Sequence, residues 1–436
     1  MTSKHSGLLI AAPHSGSGKT VVTLALLRAL TNRGVDLCAT KAGPDYIDPA
    51  FHALASRRQS VNLDPWAMAP ARLKALAGGQ SGSHLLVEAM MGLYDGAADG
   101  SGSAADLAAT LGLPVVLVID AGKQSHSVAA LARGFRDHRP ELAFAGIILN
   151  RVGSARHEAM LRDALDRISM AVLGAVPRSA ELELPERHLG LVQAGEQAGM
   201  AAFIERAGEI VGGAIDLDAL VEAFGSVDAG DRAAGLPAQG LRPLGQRMAI
   251  ARDDAFSFFY PHMEADWRRA GAELSFFSPL ADEAPAAQAD AVYLPGGYPE
   301  LHAGRLAGNG RFLDGLRQAA ARGATLYGEC GGYMVLGEGL VDAQGKRHAM
   351  AGLLKLETGF ARRKLHLGYR RLEAGQGFAL GQRFTAHEFH YSSALREEGE
   401  KLFRARDALG EDLGNVGLRA GKVMGSYMHV IDRSEP

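Results

Sequence analysis

Ala11-Ala-Pro-His-Ser-Gly-Ser-Gly-Lys-Thr20 decides the architecture of the first half of the chain. The apolar run Leu8–Ala12 leads into it, and a helical pattern over Thr20–Asn32 leaves it. Strand, glycine-rich turn and helix in that order make a phosphate loop. Gly16, Gly18, Lys19 and Thr20 fill the end of the GxxxxGK[ST] pattern, with Pro13 where its first glycine falls. Glycines there, with Ser17 between them, let backbone N–H groups wrap phosphate oxygens. Lys19 offers charge to the β/γ-phosphates, and the Thr20 hydroxyl suits Mg²⁺. The helix start adds the positive end of its dipole.

Outward from the loop the same alternation continues. Leu85–Glu88, Val115–Asp120, Gly146–Asn150 and Ala171–Val176 read as buried strands, with a shorter one at Asp36–Ala42. Helical spacing fills Gln124–Arg136, residues 153–169 and a stretch near 196–224. Such alternation predicts crossover connections and a mostly parallel sheet. Residues 226–246 are rich in Gly, Ala, Pro and Asp, without sustained periodicity. They separate a first domain, 1–225, from a second, 247–436. There the pattern restarts with Met248–Ala251, Glu273–Phe277, Ala291–Leu294, Thr325–Tyr327 and Thr385–His390. The expected fold class is α/β in both domains, each a mostly parallel sheet flanked by helices.

In open α/β sheets ligands sit beyond the carboxyl ends of the strands. Asp45 and Asp48 follow one such end, and Glu88 and Asp120 close two others. Mg²⁺ takes a few carboxylates plus phosphate oxygens, so Asp45, Glu88 and Thr20 form a candidate ligand set. A carboxylate ending a buried strand needs a partner, which favours a functional Glu88. Asp48 and Asp95 are as readily turn or cap residues. Asn150, ending the next strand, is a candidate for an adenine edge.

Ala324-Thr-Leu-Tyr-Gly-Glu-Cys-Gly-Gly-Tyr-Met-Val-Leu336 repeats the strand–turn–helix form around a thiol. Small residues on both sides of Cys330 permit the sharp turn of a nucleophile elbow. A helix N-terminus there is expected to favour the thiolate. The base it requires is expected at His429, in Gly425-Ser-Tyr-Met-His429. Gly296 and Gly297, ending another strand, are candidate oxyanion donors. Cys38 fits an inert core thiol. His387 and His390 fit a structural role at least as well as a substrate contact, and His366 shows no partner pattern.

Composition bounds the function classes. Hydrophobic residues are 47%, charged residues 22% and the net charge is −3. No basic field for nucleic acid is present. Two cysteines exclude a disulfide scaffold and a Cys-rich zinc module, and point to a cytoplasmic setting. The apolar runs fall far short of the ~20 residues that span a bilayer, so no membrane partner is expected. Gly7–Pro13 reads as a first strand and not an export signal. Glycine, 55 of 436 residues, is about twice its usual share.

These segments resemble a known family. The phosphate loop, Lys41–Pro49, Val87–Gly96 and Leu149–Gly153 look like the cobyrinic or hydrogenobyrinic acid a,c-diamide synthases. Leu294–Glu300, Tyr327–Gly332, Ala386–Ser392 and Gly425–Arg433 resemble their glutamine amidotransferase domain, and the likeness covers essentially the whole chain. It implies a dethiobiotin-synthetase-like first fold and a class I amidotransferase second fold. It implies a carbon–nitrogen ligase using ATP, Mg²⁺ and glutamine to amidate a corrinoid tetrapyrrole acid, and a homodimer. Cys330 would be the nucleophile and His429 its base. Tyr46, Ile47 and Asp95 would lie near substrate and phosphates. Many class I amidotransferases carry Glu two residues after the histidine; here Ile431 stands there, leaving Glu388 and Asp432 as candidates for the orienting group. The competing readings are a cobyric acid synthase-like enzyme and an ATP-dependent partitioning switch. His14, where such switches carry a lysine, and the Cys330 domain speak against the switch.

Overall fold

The computed structural model describes residues 5–184, 186–187, 190–191, 199–230, 240–361 and 363–434. They divide into two compact units, residues 1–238 and 239–436.

The first unit is built on β1 (Ser6–Ala11), β2 (Leu37–Ala42), β3 (Val61–Leu63), β4 (His84–Glu88), β5 (Val115–Asp120), β6 (Phe144–Val152) and β7 (Val172–Pro177). Their order across the sheet is β3-β2-β4-β1-β5-β6-β7, and every neighbouring pair is parallel. The strands read as continuous apolar runs because both faces are covered. In β5, Val115 to Ile119 are wholly buried and only the terminal Asp120 reaches the edge. The helices are α1 (Lys19–Asn32), α2 (Asp48–Ser56), α3 (Pro70–Gly78), α4 (Ala104–Leu111), α5 (Val128–His138), α6 (Ala155–Asp166), α7 (Met200–Ala214) and α8 (Leu217–Glu222). Residues 22–30 of α1 are buried all round, since α1 lies between the sheet and α7. Gly208 and Gly212 of α7 allow that approach: a methyl on either would stand 2.8 Å from Arg28 or 2.9 Å from Ala29.

Several elements differ from the periodicity. β3, α2, α3 and α4 are additional, and α5 begins at Val128 instead of Gln124. The single stretch near 196–224 is two helices, broken where Asp216 caps Ala219 and starts α8; residues 196–198 lie outside the described set. Gly225 and Ser226 pair antiparallel with the start of β1, so the expected linker begins inside a short strand; its residues 231–239 lie outside the described set.

The second unit has a central sheet of strands Glu273–Phe277, Arg247–Ala251, Ala291–Leu294, Thr325–Glu329, Val423–Ser426 and Leu418–Ala420, in that order. All its pairs are parallel except the last. Two further sheets accompany it, a mixed four-stranded one and an antiparallel one. The antiparallel one is five-stranded, with His366–Ala374, Arg383–His390 and Met428–Arg433 adjacent. Among the described residues no helix is long and apolar enough to cross a membrane.

Candidate active site

In the first unit the phosphate loop turns on two left-handed glycines, Gly16 and Gly18, each at φ 84°. Gly18 has a second reason to lack a side chain: a Cβ there would stand 2.2 Å from the Asn150 amide nitrogen. That amide donates to the Ser17 carbonyl at 2.8 Å, and the Ser17 hydroxyl donates to the His14 carbonyl at 2.9 Å. The loop is therefore braced from behind before any ligand arrives.

Its open side faces a cluster of buried charges. Glu88, at the end of β4, accepts from Thr20 Oγ1 at 2.7 Å, Lys41 Nζ at 3.0 Å and Lys19 Nζ at 3.4 Å on one oxygen. His52 Nε2 lies 2.6 Å from the other. Lys41 also pairs with Asp48, and Asp45 lies 3.9 Å from it. Asp45 Oδ1 accepts from the backbone of Ile47 at 2.7 Å and of Asp48 at 3.2 Å, starting α2. Burial alone would raise Glu88, but Lys41 and Lys19 outweigh it and hold its carboxyl well below the usual range. Burial would likewise lower Lys41, and Asp48, Glu88 and Asp45 hold it high instead. Burial, then Asp45, push Asp48 up to about 8. Lys19 is lowered by burial and by Lys41. A cleft of about 1230 Å³ opens over Lys19, Thr20, Asp45, Asp48 and Arg151. Asp48 Oδ1 is buried there without a hydrogen-bond partner. A carboxylate oxygen left without a donor, on a residue that lines the same cleft as Thr20 and Asp45, suits a hard cation.

In the second unit Cys330 joins Thr325–Glu329 to the six-residue helix Gly331–Leu336 at φ 45°, ψ −103°. A side chain rarely adopts that conformation, and it persists because the turn is locked on both sides. Cys330 N–H donates to the Ser426 carbonyl at 2.8 Å, and a methyl on Gly332 would stand 2.0 Å from the Leu294 carbonyl. Gly296 lies against both Cys330 and His429. A methyl on it would stand 2.3 Å from His429 Cε1 and 3.4 Å from Cys330 Cβ. A methyl on Gly331 would be 3.2 Å from the Gly297 nitrogen, so that amide lies at the Cys330 turn. Glu329, fully buried, accepts from Tyr293 O–H at 2.9 Å and from the Val430 N–H at 3.2 Å. It thereby ties the residue before Cys330 to the residue after His429. Burial lowers His429 to about 3, with His387 adding to it, so the ring is neutral.

Two family models match. Residues 8–192 match the CobQ/CobB/MinD/ParA nucleotide binding domain, and residues 247–436 match the CobB/CobQ-like glutamine amidotransferase domain. The hydrogenobyrinate a,c-diamide synthase of Brucella anthropi is 60% identical over 430 residues, covering 98% of this chain and 98% of the relative. The chain belongs to the hydrogenobyrinate a,c-diamide synthase family. Members from Rhizobium meliloti and Rhodobacter capsulatus are 57% and 53% identical, each covering 99% of this chain and 100% of the relative.

Against that family background, the structure gathers Gly16, Gly18, Lys19, Thr20 and Asp45 on one cleft, with Ser17 inside the loop and Glu88 buried behind Lys19 and Thr20, and it brings His429, Gly296 and Gly297 close to the Cys330 turn. The expectations for six residues change. Asn150 is not open to an adenine edge: its Nδ2 holds the loop, and its Oδ1 accepts from Arg151 N–H at 3.0 Å. Glu88 offers no open oxygen to a metal, because a carboxylate buried at a strand end collects every nearby donor. Asp95 closes its own turn, accepting from Gly92 N–H at 2.8 Å, and does not line the cleft. Ile47 packs against the core, and neither it nor Tyr46 lines the cleft. The Cys330 thiol is pushed up, by burial first and Glu300 second, instead of being lowered by its short helix. Both candidates for the orienting group have partners of their own. Glu388 pairs with Arg370 and His390, and Asp432 Oδ1 accepts from Arg433 N–H at 2.8 Å. Cys38 is a core thiol, buried and raised to about 11. The sequence reading missed Lys41, His52 and Glu329, which act through buried contacts across distant strands. It also missed Arg151, whose φ of 58° and bonds to Asp120 at 2.5 Å and the Gly16 carbonyl at 3.0 Å place it on the loop.

Proposed function

We propose that this chain amidates the a and c acetate side chains of hydrogenobyrinic acid, using ATP and glutamine, in cobalamin biosynthesis. The carrying observation is the pairing of a charged phosphate-loop cleft with a Cys330–His429 turn, in a chain 60% identical to such a synthase. The names of the relatives favour the metal-free ring over the cobalt-bearing one.

In the second unit neutral His429 takes the Cys330 proton as sulfur attacks the side-chain amide carbon of glutamine. A thiol held protonated by burial and a neutral base favour transfer during attack over a preformed ion pair. The Gly297 N–H stabilises the oxyanion. The carbon–nitrogen bond breaks, His429 returns the proton to the leaving nitrogen, and ammonia departs. Water then hydrolyses the glutamyl thioester to glutamate and the free thiol. In the first unit a substrate carboxylate attacks the terminal phosphorus of ATP in line, giving an acyl phosphate and ADP. Lys19 and the loop amides neutralise the transferring charge. Thr20, Asp45 and the open oxygen of Asp48 are the residues that would hold Mg²⁺, which supplies further neutralisation of the phosphate oxygens. Glu88 fixes Lys19, Thr20 and Lys41 around them. Ammonia displaces phosphate and leaves the amide.

The two buried free thiols support a reducing, cytoplasmic setting, and a homodimer completes the proposal, to be checked by light scattering. The deciding experiment is Cys330→Ser in the full chain. Glutamine-dependent amidation of hydrogenobyrinic acid is lost and ammonia-dependent amidation remains. A variant that still used glutamine at the native rate would overturn the assignment. Faster turnover of cobyrinic acid than of the metal-free acid would overturn the acceptor.

A further inference from the structure

Strands His366–Ala374 and Arg383–His390 pair antiparallel, with His366 opposite His390 and Gly368 opposite Glu388. Side chains alternate along a strand, so His366, Glu388 and His390 share one face. The two imidazole rings lie parallel with centroids 4.6 Å apart. One ligating atom from each of the three residues lies within 4.8 Å of the others. Tyr427 stacks on His390 at 4.0 Å and holds that ring.

The hydrogen bonds around this trio leave a gap in the charge pattern. His390 Nδ1 lies 3.0 Å from the Ser392 carbonyl oxygen, which only accepts, so Nδ1 carries a proton. The Ser392 hydroxyl, 3.3 Å away, can accept from the same N–H. His390 Nε2 then presents its lone pair to Glu388 Oε1 at 3.0 Å. Two acceptors face each other, and a cation belongs with them: a second ring proton or a metal ion. The other Glu388 oxygen is held by Arg370 Nε at 2.8 Å and Nη2 at 2.6 Å. An imidazole anchored through N–H to a carbonyl, beside a carboxylate anchored by a second residue, is how metal ligands are oriented.

We propose that His390 Nε2, Glu388 Oε1 and one ring nitrogen of His366, its half-buried ring turned out of the stack on His390, form a site for a transition-metal dication such as Zn²⁺. Two imidazoles and one carboxylate suit Zn²⁺ and its neighbours, whereas Mg²⁺ takes oxygen. The site is separate from the cation that accompanies ATP. It also touches the thiol chemistry: Phe389, between two of the ligands, carries the carbonyl that lies 3.9 Å from Cys330 Sγ. A metal on Glu388 and His390 fixes the strand against which the thiol rests.

The test uses the full-length chain, reduced and freed of metal, titrated with Zn²⁺ against a chromophoric chelator and with Co²⁺ by absorption. The native chain binds one equivalent, with a tetrahedral Co²⁺ spectrum lacking a thiolate charge-transfer band. His366→Ala, at a half-buried position, lowers affinity at least tenfold, and Cys330→Ser leaves it unchanged. Absence of stoichiometric binding would assign the gap to a second proton and overturn the proposal. So would equal affinity in His366→Ala, or a thiolate band that Cys330→Ser abolishes.

Discussion

Glu329 shows how a single buried carboxylate shapes the thiol site. Its ordinary value is 4.5, and burial pushes it up to about 8, even with donors from Tyr293, Val430 and Tyr327 lowering it. Between these two values the unfolded chain has released a proton that the folded chain keeps. The contribution of Glu329 to stability is therefore present below pH 4.5 and lost as pH rises toward 8. Glu329→Gln keeps the shape and the acceptor for Val430 N–H but removes this dependence. In urea melts the variant gains on the native protein as pH rises across that window, by an amount on the order of 4 kcal/mol over the whole range. A difference independent of pH would refute the buried-acid reading. Residues of this kind were not legible in the sequence. Lys19 and Thr20 stand in one contiguous motif, so their chemistry is written locally. Glu329 depends on Tyr293 and Val430, and Lys41 on Asp48 and Glu88. Only the folded sheets bring these together. The expected Cys330 thiolate failed for the same reason: a helix start next to Cys330 is visible in sequence, and the depth of the thiol is not.

At the level of elements, what could be read was what was buried on both faces. β5 and β1 announce themselves because a parallel strand under two helix layers must be apolar throughout. His366–Ala374 gave no such signal, since only Leu372 among its nine residues is buried. Its polar run, and with it the stacking of His366 on His390, stayed hidden. The Cys330 turn lies between these cases, because its glycines mark it but not their reasons. Gly332 is the critical one: an added methyl meets the backbone carbonyl of Leu294 at 2.0 Å, a neighbour that cannot rotate away. Gly332→Ala must shift the turn from the end of strand Ala291–Leu294, next to the Gly296 and Gly297 amides. The expected result is a loss of about 1–3 kcal/mol in urea-induced unfolding. With it goes a more than tenfold fall in glutamine hydrolysis, while ammonia-dependent amidation stays near native. Native glutamine hydrolysis in this variant would show that the turn tolerates displacement and that the oxyanion assignment is wrong.

Across the whole molecule, the two halves of the reaction rest on two separate hydrophobic cores. One gathers Leu8, Leu24, Val118 and Ile204, and the other Ala249, Phe312, Leu326 and Val335. The restart of strand alternation after residue 246 was the sequence signal for this division. A ligand stabilises the unit that binds it by mass action, about 2.7 kcal/mol when present at a hundred times its dissociation constant. ATP with Mg²⁺ acts on the unit holding Lys19 and Thr20, whereas a glutamine analogue that alkylates Cys330 acts on the other. Scanning calorimetry of the full chain should then show two transitions. Mg²⁺–ATP moves one of them upward, and this shift disappears in Lys19→Ala. The analogue moves the other, and this shift disappears in Cys330→Ser. If either ligand raised both transitions equally, the chain would unfold as one cooperative body, and the two cores would not be independent.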